Sequence, residues 1–388
     1  MRVAFLSSEY PPHVYGGLGT TVAALSRALA ARGVAVTLLV PDAPGYADPP
    51  PGVSLLPVPV GGAGGDTDYW LGFCESARDV AVAAGLRVDA VHAHDWMTAP
   101  GGLAVGRALG APVLLTVHLP QLAAENVAYE TLGLAGAGAV LVNSLAVRDE
   151  LAARETVAPA PVVVVPNGVD LDRFTPGGPA PDPHRILFAG RLVPQKGVDV
   201  LLRAFGAVLR RHPDATLHLA GDGQLRLYLQ RLARFLGVSG GVHFLGWRGD
   251  DLPALYRSAA VTAVPSLYEP FGLVALEAMA SGCPVVASRV GGLAEIVDGT
   301  TVVPGDHLDL ATRLVELLSD PDLARSRGAA ARGRAEAYDW AVVADRTVAV
   351  YADLATRGPG APLGHERIGA ILSTVGEGAR ARLAALLS

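Results

Sequence analysis

Two stretches of this sequence place charge and open backbone amides where a phosphorylated ligand could be held. In Glu269-Pro270-Phe271-Gly272-Leu273-Val274-Ala275-Leu276-Glu277, Pro270 is suited to open a helix, and Gly272 lets a ligand approach the main chain. The first amides of that helix, near Leu273 and Val274, lack internal partners and lie at its positive end, a natural cradle for a diphosphate. Glu277, about one turn beyond them at ~1.5 Å per residue, would reach a ribose diol beside the phosphates. A capped helix with one solvated acid is the competing reading, and the apolar setting of Glu277 speaks against it. The second stretch is Gly190-Arg191-Leu192-Val193-Pro194-Gln195-Lys196-Gly197. Arg191 could grip a leaving diphosphate through a bidentate contact, and Lys196 as a point charge, without a metal.

Weaker signals come from the amino-terminal half. Tyr15-Gly16-Gly17-Leu18-Gly19-Thr20 would let a phosphate or sugar close to the amides of Gly17 and Gly19, though a plain tight turn explains the glycines as well. His92-Ala93-His94-Asp95-Trp96 and His118 each follow an apolar run. His118 and Asp95 are expected to project from a sheet edge toward a sugar, and His92 to be structural. Tyr15, His94 and Asp95 are assigned to the acceptor or sugar side.

These residues need a scaffold that gathers strand ends. Short, near-continuously apolar runs at 3–6, 36–40, 90–92, 113–117, 140–142 and 162–165 read as buried parallel strands, with amphipathic helices between them. Pro176-Gly177-Gly178-Pro179-Ala180-Pro181-Asp182-Pro183 breaks the pattern like a linker. The alternation restarts at 186–189 and continues through 216–220, 242–245, 261–264, 285–287 and 301–303. The expectation is an α/β protein of two Rossmann-like, doubly wound parallel-sheet domains facing across a cleft. Residues 1–175 form the acceptor-side domain and 184–338 the nucleotide-sugar-binding domain. Helices over 339–388 are expected to pack back on the first domain; the tail has no functional account.

Composition narrows the classes. With 388 residues the chain is long for one core, and 51% hydrophobic against 18% charged residues argues for globular burial. A net charge of −6 argues against a general nucleic-acid binder. Cys74 and Cys283 are too few for a disulfide framework or zinc cluster, and Cys283 reads as a buried free thiol. No leader or membrane span is evident, so a cytoplasmic protein is expected.

With Pro166-Asn167-Gly168-Val169-Asp170 and Phe174, the two strong blocks resemble family 4 glycosyltransferases of the GT-B type over about residues 1–355. Glu9-Tyr10-Pro11-Pro12 through Gly17, with 92–96, is similar to bacterial glycogen and maltose-1-phosphate synthase-like enzymes. The resemblance implies a retaining transfer of a hexosyl group from a nucleotide-diphosphate sugar to an acceptor hydroxyl. In that reading Arg191 and Lys196 hold the diphosphate, Glu269 touches the sugar and Glu277 the ribose. Phe271, Gly272, Leu273, Val274, Gly17 and Gly19 complete the donor side, and His118 sits beside the reacting carbon. No cofactor is implied beyond the donor itself, whether UDP-, ADP- or GDP-linked.

Val14 stands where many bacterial glycogen synthases carry lysine, and 118–143 is short for a glucan groove. Both favour a small acceptor such as a sugar phosphate, polyol or metabolite over glucan elongation. Rival readings are a nucleotide-sugar 2-epimerase and a non-catalytic nucleotide-sugar sensor. A dehydrogenase is disfavoured because no G-x-G-x-x-G follows a strand. Asp-x-Asp occurs at 66–68, 170–172 and 320–322, each reading as a turn or cap rather than a metal site.

Overall fold

A computed structural model of the chain describes residues 1–60, 66–154, 160–358 and 365–387. They fall into two compact units. One comprises Met1–Gly168 and the chain from Trp340 onward; the other is Val169–Asp339. The crossover therefore precedes the Pro/Gly run at 176–183. Val169 and Phe174 are already buried in the second unit's core, and Pro176 lies against Gly282 of that unit, so apolar burial overrides the linker-like composition.

The first unit holds β1 (Arg2–Leu6), β2 (Ala35–Pro41), β3 (Val53–Val58), β4 (Ala90–His94), β5 (Val113–Val117), β6 (Ala139–Val142) and β7 (Val162–Val164). They form one sheet in the order β3-β2-β1-β4-β5-β6-β7, every pair parallel. Helices α1 (Gly17–Ala30), α2 (Asp66–Ala83), α3 (Ala99–Leu109), α4 (Ala124–Gly136) and α5 (Leu145–Ala152) connect the strands. Alternate side chains serve opposite faces, as the two-residue strand period requires. Val3 and Phe5 pack with Val22, Leu25 and Leu29 of α1, whereas Ala4 and Leu6 join Leu71, Phe73 and Val105 of α2 and α3.

The second unit carries β8 (Asp182–Ala189), β9 (Thr216–Ala220), β10 (Val242–Gly246), β11 (Ala259–Val264), β12 (Val285–Ser288) and β13 (Thr301–Val302). Their order is β10-β9-β8-β11-β12-β13, again parallel throughout. Its helices are α6 (Val198–Leu209), α7 (Arg226–Phe235), α8 (Leu252–Ser258), α9 (Leu273–Ala280), α10 (Leu293–Ile296), α11 (His307–Ser319) and α12 (Pro321–Ala335). Ile186 and Phe188 face Leu201, Leu202 and Phe205 of α6, while Leu187 and Ala189 face α8 and α9 through Tyr256, Leu276 and Met279.

After α12 the chain returns to the first unit as α13 (Trp340–Arg357), which packs along α1. The tail forms α14 (His365–Ile371) and α15 (Glu377–Leu386), two short helices where the sequence suggests one. Val375, between them, is buried with Leu372 and Leu383 in the α2–α3 core, which a straight helix would not achieve. Among the described residues no helix is long and apolar enough to cross a membrane.

In each sheet the strand order reverses once, between β1 and β4 and between β8 and β11. Loops leaving the carboxyl ends of such strands diverge to opposite faces and open a crevice for a ligand. Strand-end loops, with the strand ends and helices that adjoin them, carry the residues singled out from the sequence.

Candidate active site

In the second unit, β8 runs into the 190–197 loop. Gly190 N–H donates to the Ala220 carbonyl at 3.0 Å and Leu192 N–H to that of Asp222 at 2.8 Å. The loop turns through a short 3-10 segment, Pro194–Lys196, closed by Gly197 at φ 61°. A Cβ on Gly197 would stand 2.1 Å from the Pro265 carbonyl oxygen, so only glycine lets this loop meet the one after β11. The close approach brings Lys196 Nζ to 2.6 Å from Glu269 Oε2, which also accepts from Ser266 Oγ at 3.2 Å. Glu269 is 9% exposed. Arg191, at the start of the same loop, is exposed, and its side chain has no hydrogen bond or ion pair among the described residues.

Pro270, Phe271 and Gly272 separate Glu269 from α9, so the helix opens at Leu273 and not at Pro270. Gly272 at φ 108° precedes the helix, no side chain caps it, and the amides of Leu273 and Val274 find no acceptor among the described residues. These are the open donors and positive helix end that an anion requires. Phe271, by contrast, is buried and lies 6.1 Å from Tyr338 between ring centroids. Its part is to anchor the Gly272 turn from the core side. Glu277 accepts a hydrogen bond from Tyr256 Oη at 3.0 Å. Burial pushes its carboxyl up to about 7, against the lowering influence of Tyr256 and Arg173.

In the first unit, a residue outside the sequence-derived set organises the glycine loop. Glu9 Oε2 accepts from the amides of Tyr15 at 3.0 Å and of Gly16 and Gly19, both at 3.3 Å. Gly19 is glycine for steric reasons: a Cβ there would lie 2.2 Å from Val14 Cγ1 and 2.9 Å from Glu9 Cβ. Its amide is therefore engaged internally. The amides of Gly17 and Leu18 have no acceptor among the described residues, and a Cβ on Gly16 would meet nothing within 4 Å. Tyr15 is 78% exposed.

The histidines divide by role. His92 is fully buried, with Nδ1 2.7 Å from Tyr351 Oη and Nε2 2.6 Å from Thr116 Oγ1, and burial drives it down to about 3. Both nitrogens are satisfied inside the fold. His94 stacks on His118 at 5.4 Å, and its Nδ1 lies 3.1 Å from His118 Nε2. Burial lowers the pKa of both, His118 to about 4, so the pair is neutral at pH 7. One imidazole donates to the other.

Asp95 sits at φ 63°, a strained setting for a non-glycine residue. Its Oδ1 accepts from His118 N–H at 2.6 Å and from Leu119 N–H at 3.4 Å. Two further residues fix the same turn. Asn143 Nδ2 donates to the His118 carbonyl at 3.1 Å, and Gln121 N–H donates to Glu130 Oε2 at 3.2 Å, with Glu130 paired to Arg154. Burial raises Asp95 to about 8 and Glu130 to about 7.

Glu9, Asn143 and Glu130 are not legible as site residues because each acts through main-chain amides or carbonyls, which leave no side-chain pattern in the sequence. One compositional signal could have sharpened Lys196: it is the chain's one lysine among 31 basic residues.

Two family models match the chain. The one described as Glycosyltransferase Family 4 covers residues 15–173, and the one described as Glycosyl transferases group 1 covers 183–320. A glycogen synthase of Mycobacterium tuberculosis (strain ATCC 25618 / H37Rv) is 34% identical over 391 residues, spanning 90% of this chain and 94% of that protein. A D-inositol 3-phosphate glycosyltransferase of Actinosynnema mirum is 34% identical over 402 residues, spanning 90% and 96%. Among solved structures, sucrose-phosphate synthase from Thermosynechococcus elongatus superposes with a TM-score of 0.81 at 26% identity, over 92% of this chain and 100% of that one.

Proposed function

Because the chain belongs to glycosyltransferase family 4, with the GT-B fold, we propose that it moves a hexosyl group from a nucleotide-diphosphate sugar to an acceptor hydroxyl with retention at the anomeric carbon. The observation that carries this reading is the Lys196–Glu269 pair beside the uncapped start of α9. Lys196, Arg191 and the amides of Leu273 and Val274 would take up the charge that grows on the diphosphate as the anomeric C–O bond breaks. The acceptor oxygen forms its bond on the same face, and its proton passes to the departing phosphate oxygen. Stabilising that leaving group is the main contribution the protein can make to such a step.

Other groups position the sugar and nucleotide. Glu269 would accept from a hexose hydroxyl while orienting Lys196. Glu277 would accept from the ribose diol, sharing its carboxylate with Tyr256. His118, neutral and held by Asp95 and Asn143, would hydrogen-bond the sugar without placing a cation beside an oxocarbenium-like carbon. The Gly17 and Leu18 amides would serve a sugar oxygen.

We further propose that the transfer needs no metal. Two of the Asp-x-Asp sequences are engaged as turns or caps: Asp170 accepts from the amides of Asp172 and Arg173, and Asp320 caps α12. In the third, Asp68 lies in α2, 3.6 Å from Arg382.

The test is release of nucleoside diphosphate from UDP-, ADP- and GDP-hexoses in the presence of hydroxylated acceptors. Replacing Lys196 by alanine should lower kcat by about 100-fold to 1,000-fold with the fold intact by circular dichroism. A near-normal kcat would remove the diphosphate role. EDTA should leave the rate unchanged, and abolition of activity by the chelator would overturn metal independence.

A further inference from the structure

Charge is divided unevenly between the strand-end loops of the two units. In the first unit, the loops after β1 (7–16), β2 (42–52), β4 (95–98), β5 (118–123), β6 (143–144) and β7 (165–168) contain no lysine or arginine. The sequence that follows β3, at 59–65, has none either. What charge these loops carry is acidic: Glu9, Asp42 and Asp48, with Asp95 raised to about 8 by burial and so mostly uncharged at pH 7. In the second unit, the corresponding loops hold Arg191, Lys196, Arg248 and Arg289 beside Asp222, Asp250, Asp251, Glu269 and Asp306, so the contrast lies in the presence of cations and not in net charge.

Of the cations in or beside the helices of this unit, Arg27 of α1 acts on Tyr10, and three others are already engaged by acids among the described residues. Arg148, early in α5, pairs with Asp149 at 2.7 Å. Arg154 is bound to Glu130 and Glu150, and Arg382 to Glu75 and Asp68. The other device for holding an anion, an open helix start, is partly used as well, since Glu9 already sits on the amides of Tyr15, Gly16 and Gly19. A second anion brought beside that carboxylate would meet like charge, an unfavourable arrangement.

The same edge offers aromatic surface. Tyr15 is exposed after β1; Tyr46, from the loop after β2, lies 5.2 Å from the His13 ring; Tyr69 and Trp70 open α2 with rings 4.9 Å apart. These elements leave three adjacent strands, β1, β2 and β3. Aromatic faces pack against the C–H face of a sugar ring and need no charge on the partner.

We infer that the acceptor is an uncharged, hydroxyl-rich molecule (a sugar, polyol or glycoside) and that phosphorylated or carboxylated acceptors are rejected. The inference rests on the transferase reading, taking the donor's diphosphate to the Arg191–Lys196 loop of the second unit and the acceptor to the cation-free loops of the first. Rejection follows from an unpaired anion rather than from a steric block.

The experiment uses the full chain and matched acceptor pairs: glucose with glucose 6-phosphate, maltose with maltose 1-phosphate, and myo-inositol with its 3-phosphate. Binding of UDP-, ADP- and GDP-hexoses is first read as a rise in melting temperature. Nucleoside diphosphate release is then followed with each acceptor. The expected result is that at least one neutral member raises release about tenfold over the acceptor-free rate, and that its phosphorylated partner gives at most about a tenth of that stimulation. Preference for a phosphorylated member overturns the inference. So does stimulation by none of the neutral members while a nucleotide sugar still raises the melting temperature. In both cases the donor-side reading survives, whereas failure of every nucleotide sugar to stabilise the protein would remove that reading and this inference with it.

Discussion

Lys196 is a residue for which arginine should be a poor substitute, even though arginine supplies every other basic position in this chain. Its ammonium fits beside Glu269 Oε2 at 2.6 Å as a compact point charge, whereas a guanidinium is planar and wider. Lys196→Arg should therefore keep the fold yet lower kcat by about tenfold or more, a split between stability and turnover that thermal melting and steady-state kinetics would reveal. Glu277 makes a second prediction. With its carboxyl raised to about 7, it gains ionised acceptor capacity as pH rises through that value, so kcat/KM for the donor should climb there. Stability moves the opposite way. A carboxyl raised above its unfolded value contributes stability that is complete below the unfolded pKa and fades as pH passes upward through the folded one. Glu277→Gln should flatten both dependences near pH 7; an unchanged inflection in kcat/KM would assign it to another group.

Loops and helix starts, more than side chains, decide how these residues meet. Gly197 and Gly16 give a contrasting pair. Gly197→Ala forces a Cβ at φ 61° against the Pro265 carbonyl oxygen and should cost about 2 kcal/mol or more in chemical denaturation. Gly16, extended at φ −167° with open space around its Cβ position, should accept alanine with little change in stability. If the loop meets a ligand as proposed, Gly16→Ala should instead raise KM, and an unaltered KM would remove this loop from substrate contact. The distinction was invisible in the sequence, where every glycine in 15–20 reads alike. What was legible followed from local physics: buried parallel strands as apolar runs, and α9 from Gly272 and the apolar run after it, though the helix opens three residues beyond Pro270. β3 was missed because Pro57 and Pro59 argue against a strand. It survives as the sheet's edge, pairing on one side only with β2. Asp95, Asn143 and Glu130 converge on the His118 turn from three elements, and no sequence spacing announces a contact set by sheet order.

At the scale of the molecule, the tail is a structural part of the first unit. Leu372, Leu383 and Leu386 are buried with Leu71 and Phe73 of α2, and Arg382 holds Glu75 with both of its forks. Leu383→Ala should destabilise the chain by about 2–5 kcal/mol in urea titrations, while the affinity of the remaining folded protein for a nucleotide sugar stays unchanged. A loss of affinity instead would tie the tail to the donor side. Composition also becomes readable at this scale: a net charge of −6 hides an internal division, with the cations of the strand-end loops confined to one unit. The crossover geometry has a further consequence. The second unit enters at Val169 and leaves at Asp339, and these two residues form a parallel bridge, with Val169 N–H donating to the Tyr338 carbonyl at 2.8 Å. On the other side of the crossing, Gly168 is pressed so closely on Trp340 that a Cβ would come within 2.5 Å of the indole. Entry and exit are thus neighbours, and the stretch from 169 to 339 is laid into the chain like a cassette. If the second unit is the donor side, as proposed, a gene splice at that paired junction could exchange it for another without unpicking the frame that receives it. Preference for a sugar donor and preference for what is glycosylated would then be free to diversify separately.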